Sequence, residues 1–143
     1  MEEPFLIRHT EDQIAFLTLN RPDRLNPLSS GMLTALKAEI DALAGDRSVR
    51  CVVIRSLGRN FCAGHDLREI HAIRSGSSPE IGLKNLFDLC SSVMLGLRAL
   101  PQPVIAQVHG IATAAGCQLV ASCDLAIAAQ GTRFGVNGVN IGL

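Results

Sequence analysis

Two glycine-bearing segments hold the residue types from which chemistry could be built. They are Phe61-Cys62-Ala63-Gly64-His65-Asp66-Leu67 and His109-Gly110-Ile111-Ala112-Thr113-Ala114-Ala115-Gly116-Cys117-Gln118-Leu119. Each follows an apolar, strand-like run and precedes a stretch with helical spacing. A junction of that kind leaves backbone N–H groups unpartnered at a helix start, where partial positive charge collects. Two such junctions brought together could hold one developing oxyanion. Taken singly, each segment reads equally well as a tight structural turn.

The elements that must position these junctions are legible from periodicity and breakers. Phe5 to His9 and Ile14 to Leu19 are short apolar runs separated by Thr10-Glu11-Asp12-Gln13, which predicts a hairpin. Asn20-Arg21-Pro22-Asp23-Arg24 breaks structure. Ser29 or Ser30 can cap a helix whose apolar face is Leu33, Leu36, Ile40 and Leu43, with Gly45 closing it. Cys51-Val52-Val53-Ile54 predicts a buried strand leading through Gly58 into the first glycine segment. Helical spacing near Leu67-Ile70 is interrupted by Ser75-Gly76-Ser77-Ser78-Pro79, a polar connector. A longer helix is expected from about Glu80 to Leu100, with Leu83, Leu86, Phe87, Cys90, Met94 and Leu97 on one side. Pro101 and Pro103 stop it. Val104 to Val108 is another strand, and the second glycine segment leads into a short helix through Ala121. Leu125-Ala126-Ile127-Ala128 is expected to be a buried strand opened by a structural Asp124. Strand, loop and helix thus alternate, implying an α/β fold with parallel strands and helical crossovers.

Composition narrows the function classes. The 143 residues suffice for one domain with a real core, and nearly half of them are apolar, yet no run approaches the roughly 20 needed to span a bilayer. Thirteen acidic residues balance thirteen basic ones, and Trp and Tyr are absent, so a nucleic-acid partner is not expected. Cys51, Cys62, Cys90, Cys117 and Cys123 are odd in number and lack Cys-x-x-Cys spacing, which argues against a disulfide framework and a zinc site. Cys51, Cys62 and Cys123 read as small buried hydrophobes. The Met1-Glu2-Glu3-Pro4 start has neither the basic end of a signal peptide nor the acid-poor character of a transit peptide.

The two glycine segments, the Asn20-Arg21-Pro22 turn and the Cys123-Asp124-Leu125-Ala126-Ile127-Ala128 strand, in that order, resemble the enoyl-CoA hydratase/isomerase (crotonase) superfamily. The resemblance runs from the Asn20 turn to the last residue. It implies a spiral of ββα turns stacked into two roughly perpendicular sheets. It also implies that residues 1–143 form only the N-terminal part of the domain, C-terminally truncated. The last spiral turn and the C-terminal helices that build a homotrimer, or a dimer of trimers, would lie beyond it. The implied ligand is a coenzyme A thioester, as substrate rather than cofactor; the implied metabolism is that of fatty acids. The implied compartment is the mitochondrial matrix, or otherwise the cytoplasm.

Carried over residue by residue, the oxyanion-hole donors would be the backbone N–H groups of His65 and Ala115; alanine keeps the donor but adds a methyl beside the thioester. Arg24 and Leu25 would line the coenzyme A channel, with Ala63, Asp66 and Leu67 near the adenine. Arg68 could serve in place of Arg24, and Asp66 could equally be a helix N-cap. The chain departs from the family at the acid–base pair. Where the hydratases carry two glutamates it has Gln118 and Gly138, and general acid–base help is worth roughly 10²–10⁴ in rate. A glutamine orients water but takes no proton, so efficient hydration is not expected. Two alternatives use the same oxyanion hole or none of it: decarboxylation of a malonyl-type thioester, for which the Ala-Gly-His-Asp segment speaks, and non-catalytic acyl-CoA binding or protein interaction. The His65 ring either takes part or merely points at the acyl pocket. His109 reads as a hydrogen-bonded core or rim residue, and His9 and His71 as exposed. A serine protease of similar spiral is discounted, because Gln118 sits on the helix and Ser122 only near the next strand.

Overall fold

The structure is a computed structural model that describes residues 3–142. It opens with a hairpin of β1 (Leu6–Glu11) and β2 (Ile14–Leu19), antiparallel and in register from Leu6 opposite Leu19 to Glu11 opposite Ile14. Asp12 and Gln13 alone form the loop, both at positive φ (49° and 65°), the geometry that matches strand twist in a two-residue hairpin. The turn is therefore tighter than the four-residue spacer suggests.

Helix α1 (Ser30–Ala44) starts at Ser29, whose hydroxyl accepts the Met32 N–H at 3.2 Å. It buries Met32, Leu33, Leu36, Ile40 and Leu43. Strand β3 (Cys51–Ser56) pairs parallel with β2, and β4 (Val104–Val108) parallel with β3. Between them lie α2 (Leu67–Arg74) and the 21-residue α3 (Pro79–Ala99). Helix α3 packs on α1 where Gly96 lies against Ile40; a Cβ at Gly96 would stand 2.9 Å from the Ile40 side chain.

Strand β5 (Ile111–Thr113) is a three-residue strand inside the second glycine segment, followed by α4 (Ala115–Ala121). β6 (Leu125–Ala128) extends the main sheet to the order β1-β2-β3-β4-β6, and β7 (Arg133–Gly135) pairs parallel with β5 in a separate two-stranded sheet. A 3₁₀ segment, Asn137–Ile141, ends the described chain. The core gathers Leu17, Leu19, Val52, Ile54, Val104 and Ala106 of the sheet under the apolar faces of α1 and α3.

One expectation fails. The Leu125–Ala128 strand is exposed, not buried: it is the sheet edge, with Leu125 61% and Ile127 65% exposed. Its apolar composition indicates what would be buried by a covering layer, and among the described residues no layer lies over it. Asp124 keeps its structural role, its carboxylate accepting the Val104 N–H at 2.7 Å. Of the cysteines expected inside, Cys62 is buried, whereas Cys51 and Cys123 are half-buried.

Candidate functional site

The two glycine segments are brought together by sheet-type bonding. Cys62 pairs with Ala112 as an isolated parallel bridge, with Cys62 N–H donating to Ile111 C=O (3.1 Å) and Thr113 N–H to Cys62 C=O (3.0 Å). On its other side the first segment bridges Leu28, whose N–H donates to Gly64 C=O at 2.7 Å. The Gly64 C=O and the His65 N–H belong to one trans peptide and point to opposite sides, so the bond from Leu28 leaves the His65 N–H directed away from Leu28. Gly64 has φ 93°, and a Cβ there would lie 3.0 Å from Ala114 Cβ and 3.3 Å from Ala115 N. The first residue of α4, Ala115, has no intrahelical acceptor for its N–H by position. Gly116 lets α4 seat on the first segment, since a Cβ would come within 2.4 Å of the Cys62 carbonyl oxygen. The turn between β5 and α4 is tight enough to hold Ala114 at φ 51°, ψ −124°, a region costing about 1–3 kcal/mol for a residue with a side chain.

A cavity of about 640 Å³ opens at this junction. Ala63, His65 and Leu67 line it from the first segment, Ala115 and Gln118 from α4, and Gly138 from the 3₁₀ segment. Six of the nine residues singled out from sequence thus meet in one pocket, including the two at the glutamate positions. Arg24 and Asp66 do not line it; they border a separate cleft with Arg21 and Ser29. Leu25 is exposed, and its carbonyl accepts the Ala63 N–H at 3.0 Å. Asp66 caps α2, accepting from Arg68 N–H (3.0 Å) and Glu69 N–H (3.4 Å), which realises the N-cap reading. Arg68 is exposed on α2.

No carboxylate lines the cavity among the described residues, and His65 is its sole histidine. Its Nδ1 stands 3.3 Å from the Leu28 carbonyl oxygen, and the ring meets Phe87 edge-on at 5.2 Å. Burial pushes the imidazole pKa down, opposed by the Leu28 bond and the Glu69 carboxylate. Burial also pushes the Cys62 thiol up to about 12, which removes it as a nucleophile at neutral pH. The Ser122 hydroxyl donates to Gln118 C=O (2.8 Å), a helix-end bond that leaves it no protease-like partner. Among the described residues no group of three His, Cys, Asp or Glu could hold a metal, and no helix is long and apolar enough to cross a membrane. The rim residue His109 donates from Nε2 to the Gly58 carbonyl oxygen, 2.8 Å away.

Sequence reasoning missed four contributors. Asn26 is fully buried at φ 50°; its Oδ1 accepts the Arg21 N–H (2.8 Å) and its Nδ2 donates to Leu57 C=O (2.8 Å) and Asn60 C=O (3.0 Å). It thereby ties the Asn20-Arg21-Pro22 turn to the chain entering the first glycine segment. The only sequence signal was an asparagine just before Pro27, within a run of breakers. Phe87 fits the apolar stripe of α3 yet faces the cavity. Thr113 and Asn137, joined by a side-chain hydrogen bond, close its far wall.

Residues 9–143 match the sequence family described as enoyl-CoA hydratase/isomerase. Zebrafish enoyl-CoA hydratase domain-containing protein 3, mitochondrial, is 42% identical over 136 residues, which is 94% of this chain and 46% of that protein. The crystal structure of an enoyl-CoA hydratase from Mycobacterium smegmatis is similar at TM-score 0.91 and 51% identity, over 99% of this chain and 54% of that one. The human enoyl-CoA hydratase domain-containing protein 3 structure gives TM-score 0.89 and 39% identity, again over 99% of this chain and 54% of that one. The chain spans about half the length of the curated relatives it matches.

Proposed function

Because the chain belongs to the enoyl-CoA hydratase/isomerase family, we propose that its cavity receives the thioester end of an acyl-CoA and polarises the carbonyl through the His65 and Ala115 N–H groups. The observation that supports this reading is the seating of Gly64 against Ala114 and Ala115, which brings the peptide before His65 beside the start of α4. Such donors act on an oxyanion whatever the acyl chain. Arg24, exposed beside Asp66, suits a phosphate of the coenzyme by its guanidinium fork, and Ala63 and Leu67 suit the adenine.

Water addition is the weak point of this site. Gln118 and Gly138 leave the cavity without a carboxylate, so the chain keeps thioester polarisation while losing the groups that deprotonate water. The reading is therefore an acyl-CoA-binding member of the family with poor hydratase activity, acting in lipid metabolism. The mitochondrial names of its relatives support that compartment, and a trimer is the assembly the resemblance implies.

The test pairs binding with hydration. The protein should bind acyl-CoA in a calorimetric titration while hydrating crotonyl-CoA at least ~10²-fold more slowly than a two-glutamate relative. Gln118→Glu combined with Gly138→Glu should raise that rate. An unaltered chain with the relative's turnover would overturn the reading. Binding without any reaction of acyl or malonyl thioesters would make the protein a carrier, and release of CO₂ from a malonyl thioester would make it a decarboxylase.

A further inference from the structure

The Gly64–His65 peptide takes its orientation from residues 25–28. Leu25 C=O accepts the Ala63 N–H at 3.0 Å, and Leu28 N–H donates at 2.7 Å to Gly64 C=O, which belongs to that peptide itself. Asn26 lies between these two grips, fully buried and at φ 50°, next to Leu25 at φ 63°. Its Oδ1 accepts the Arg21 N–H (2.8 Å), and its Nδ2 donates to Leu57 C=O (2.8 Å) and Asn60 C=O (3.0 Å). Its own N–H donates to Arg21 C=O at 2.9 Å. Leu57 and Asn60 flank Gly58, where at φ 84° the chain turns toward the first glycine segment. One carboxamide, with one acceptor and two donors in a plane, thus fixes both residues 25–28 and the entry to the segment they orient.

We infer that Asn26 is a positioning residue for thioester polarisation: it sets the tilt of the Gly64–His65 peptide, and with it the aim of the His65 N–H, through Leu25 C=O and Leu28 N–H. The inference rests on the acyl-CoA reading above. Asn26 does not line the cavity, so it acts only through those main-chain contacts. A main-chain donor has no rotamer with which to correct its aim. A hydrogen bond weakens steeply as its angle falls toward ~120°, so a turned peptide loses polarising power before it loses its place in the wall. The remaining wall is held by other elements, with Phe87 on α3 and Ala115 and Gln118 on α4. Loosening Asn26 therefore separates two quantities that a purely structural residue would move together: affinity for the acyl group and polarisation of its carbonyl.

The experiment uses butyryl-CoA carrying ¹³C at its thioester carbonyl. Isotope-edited infrared spectroscopy reads the red shift of the bound carbonyl stretch, and calorimetry reads affinity, for the protein, Asn26→Gly and Asn26→Asp, with folding checked by circular dichroism. In Asn26→Gly binding should persist while the red shift falls by about half, one of two donors being lost. In Asn26→Asp the shift should be reduced at neutral pH and return on acidification, relative to the unaltered protein at each pH, as protonation restores a donor to the clamp. A full red shift in the folded glycine variant, or an aspartate variant indifferent to pH, overturns the role of Asn26 and leaves the acyl-CoA reading standing. An unaltered protein that binds without a red shift, or does not bind, overturns the polarisation reading first. The unaltered protein gives a test that needs no variant to fold. By NMR-detected hydrogen exchange, the Asn26 Nδ2 hydrogens and the Ala63 and Leu28 N–H groups should exchange at one common rate, as a single opening unit. Ala63 and Leu28 exchanging independently of the carboxamide refutes the coupling.

Discussion

Replacing Asn26 by alanine deletes three hydrogen bonds at once, those to Arg21 N–H, Leu57 C=O and Asn60 C=O. All three partners are only partly buried, so water recovers some of each loss, and a net ~1 kcal/mol per bond is the appropriate scale. The left-handed backbone at φ 50° adds about 1–2 kcal/mol for alanine, a strain that asparagine tolerates better. The expected loss is therefore about 4–5 kcal/mol, against a total of ~5–15 for a domain. Asn26→Gly loses the bonds without the strain and should retain ~1 kcal/mol more than alanine, after allowing for glycine's greater chain entropy. Asn26→Asp keeps the Arg21 acceptor but turns an oxygen toward two carbonyls. It should be at least as unstable as alanine at neutral pH and recover as acidification restores a donor. Urea unfolding monitored by circular dichroism reads this out, since slopes of ~1–3 kcal/mol per molar turn such losses into midpoint shifts above ~1 M. A variant already unfolded without urea agrees in direction. An alanine midpoint close to that of the unaltered chain, or glycine below alanine, would refute the argument that Asn26 clamps the loop by these bonds.

Ala114→Gly should stabilise by ~1 kcal/mol, because it relieves the φ 51°, ψ −124° strain at more than glycine's entropic cost; a lowered thermal midpoint would show that the strain is absent. His65 should make stability pH-dependent. Its folded pKa lies below its unfolded value of about 6.5, so the unfolded chain binds the proton more readily. Stability is then full above pH ~6.5 and is lost as pH falls toward the folded value, and His65→Gln should flatten that slope. Denaturation curves from pH 5 to 8 check this, and an identical slope in the variant would sink it. The 143-residue chain alone should self-associate through the exposed edge strand, and Leu125→Lys with Ile127→Lys should reduce association without lowering the unfolding midpoint. Sedimentation that shows a clean monomer of the unaltered chain would contradict this.

The elements read correctly from sequence are those whose signals are local. Ser29 caps α1, Leu33 to Leu43 recur at helical spacing, and Pro101 stops α3. β5 escaped notice because Ile111-Ala112-Thr113 is too short for a period, and its partners, Cys62 and Arg133 to Gly135, are remote in sequence. β6 was recognised as a strand but misplaced as buried, since apolar composition reports a tendency and not the presence of a cover. At the site, the meeting of the two glycine segments around one cavity was legible in their spacing and in the resemblance. Arg24 and Asp66 border a different cleft from His65, a separation that residue types and spacing do not encode. Asn26 escaped because a turn-forming residue and a buried clamp look alike until the carbonyls it binds are known.

The bonds at Cys62 and Gly64, to β5 and Leu28, involve main-chain atoms alone. On the proposed reading, what would position a thioester carbonyl is thus independent of the side chains at 65, 118 and 138, which line the cavity. Those three places can change identity without displacing the main-chain bonds, so under that reading the polarising donors are inherited separately from the groups that decide what the thioester becomes. In such a scaffold, a lineage can lose water addition and keep, or acquire, another fate for the same intermediate through single codon changes, with no intervening loss of the fold.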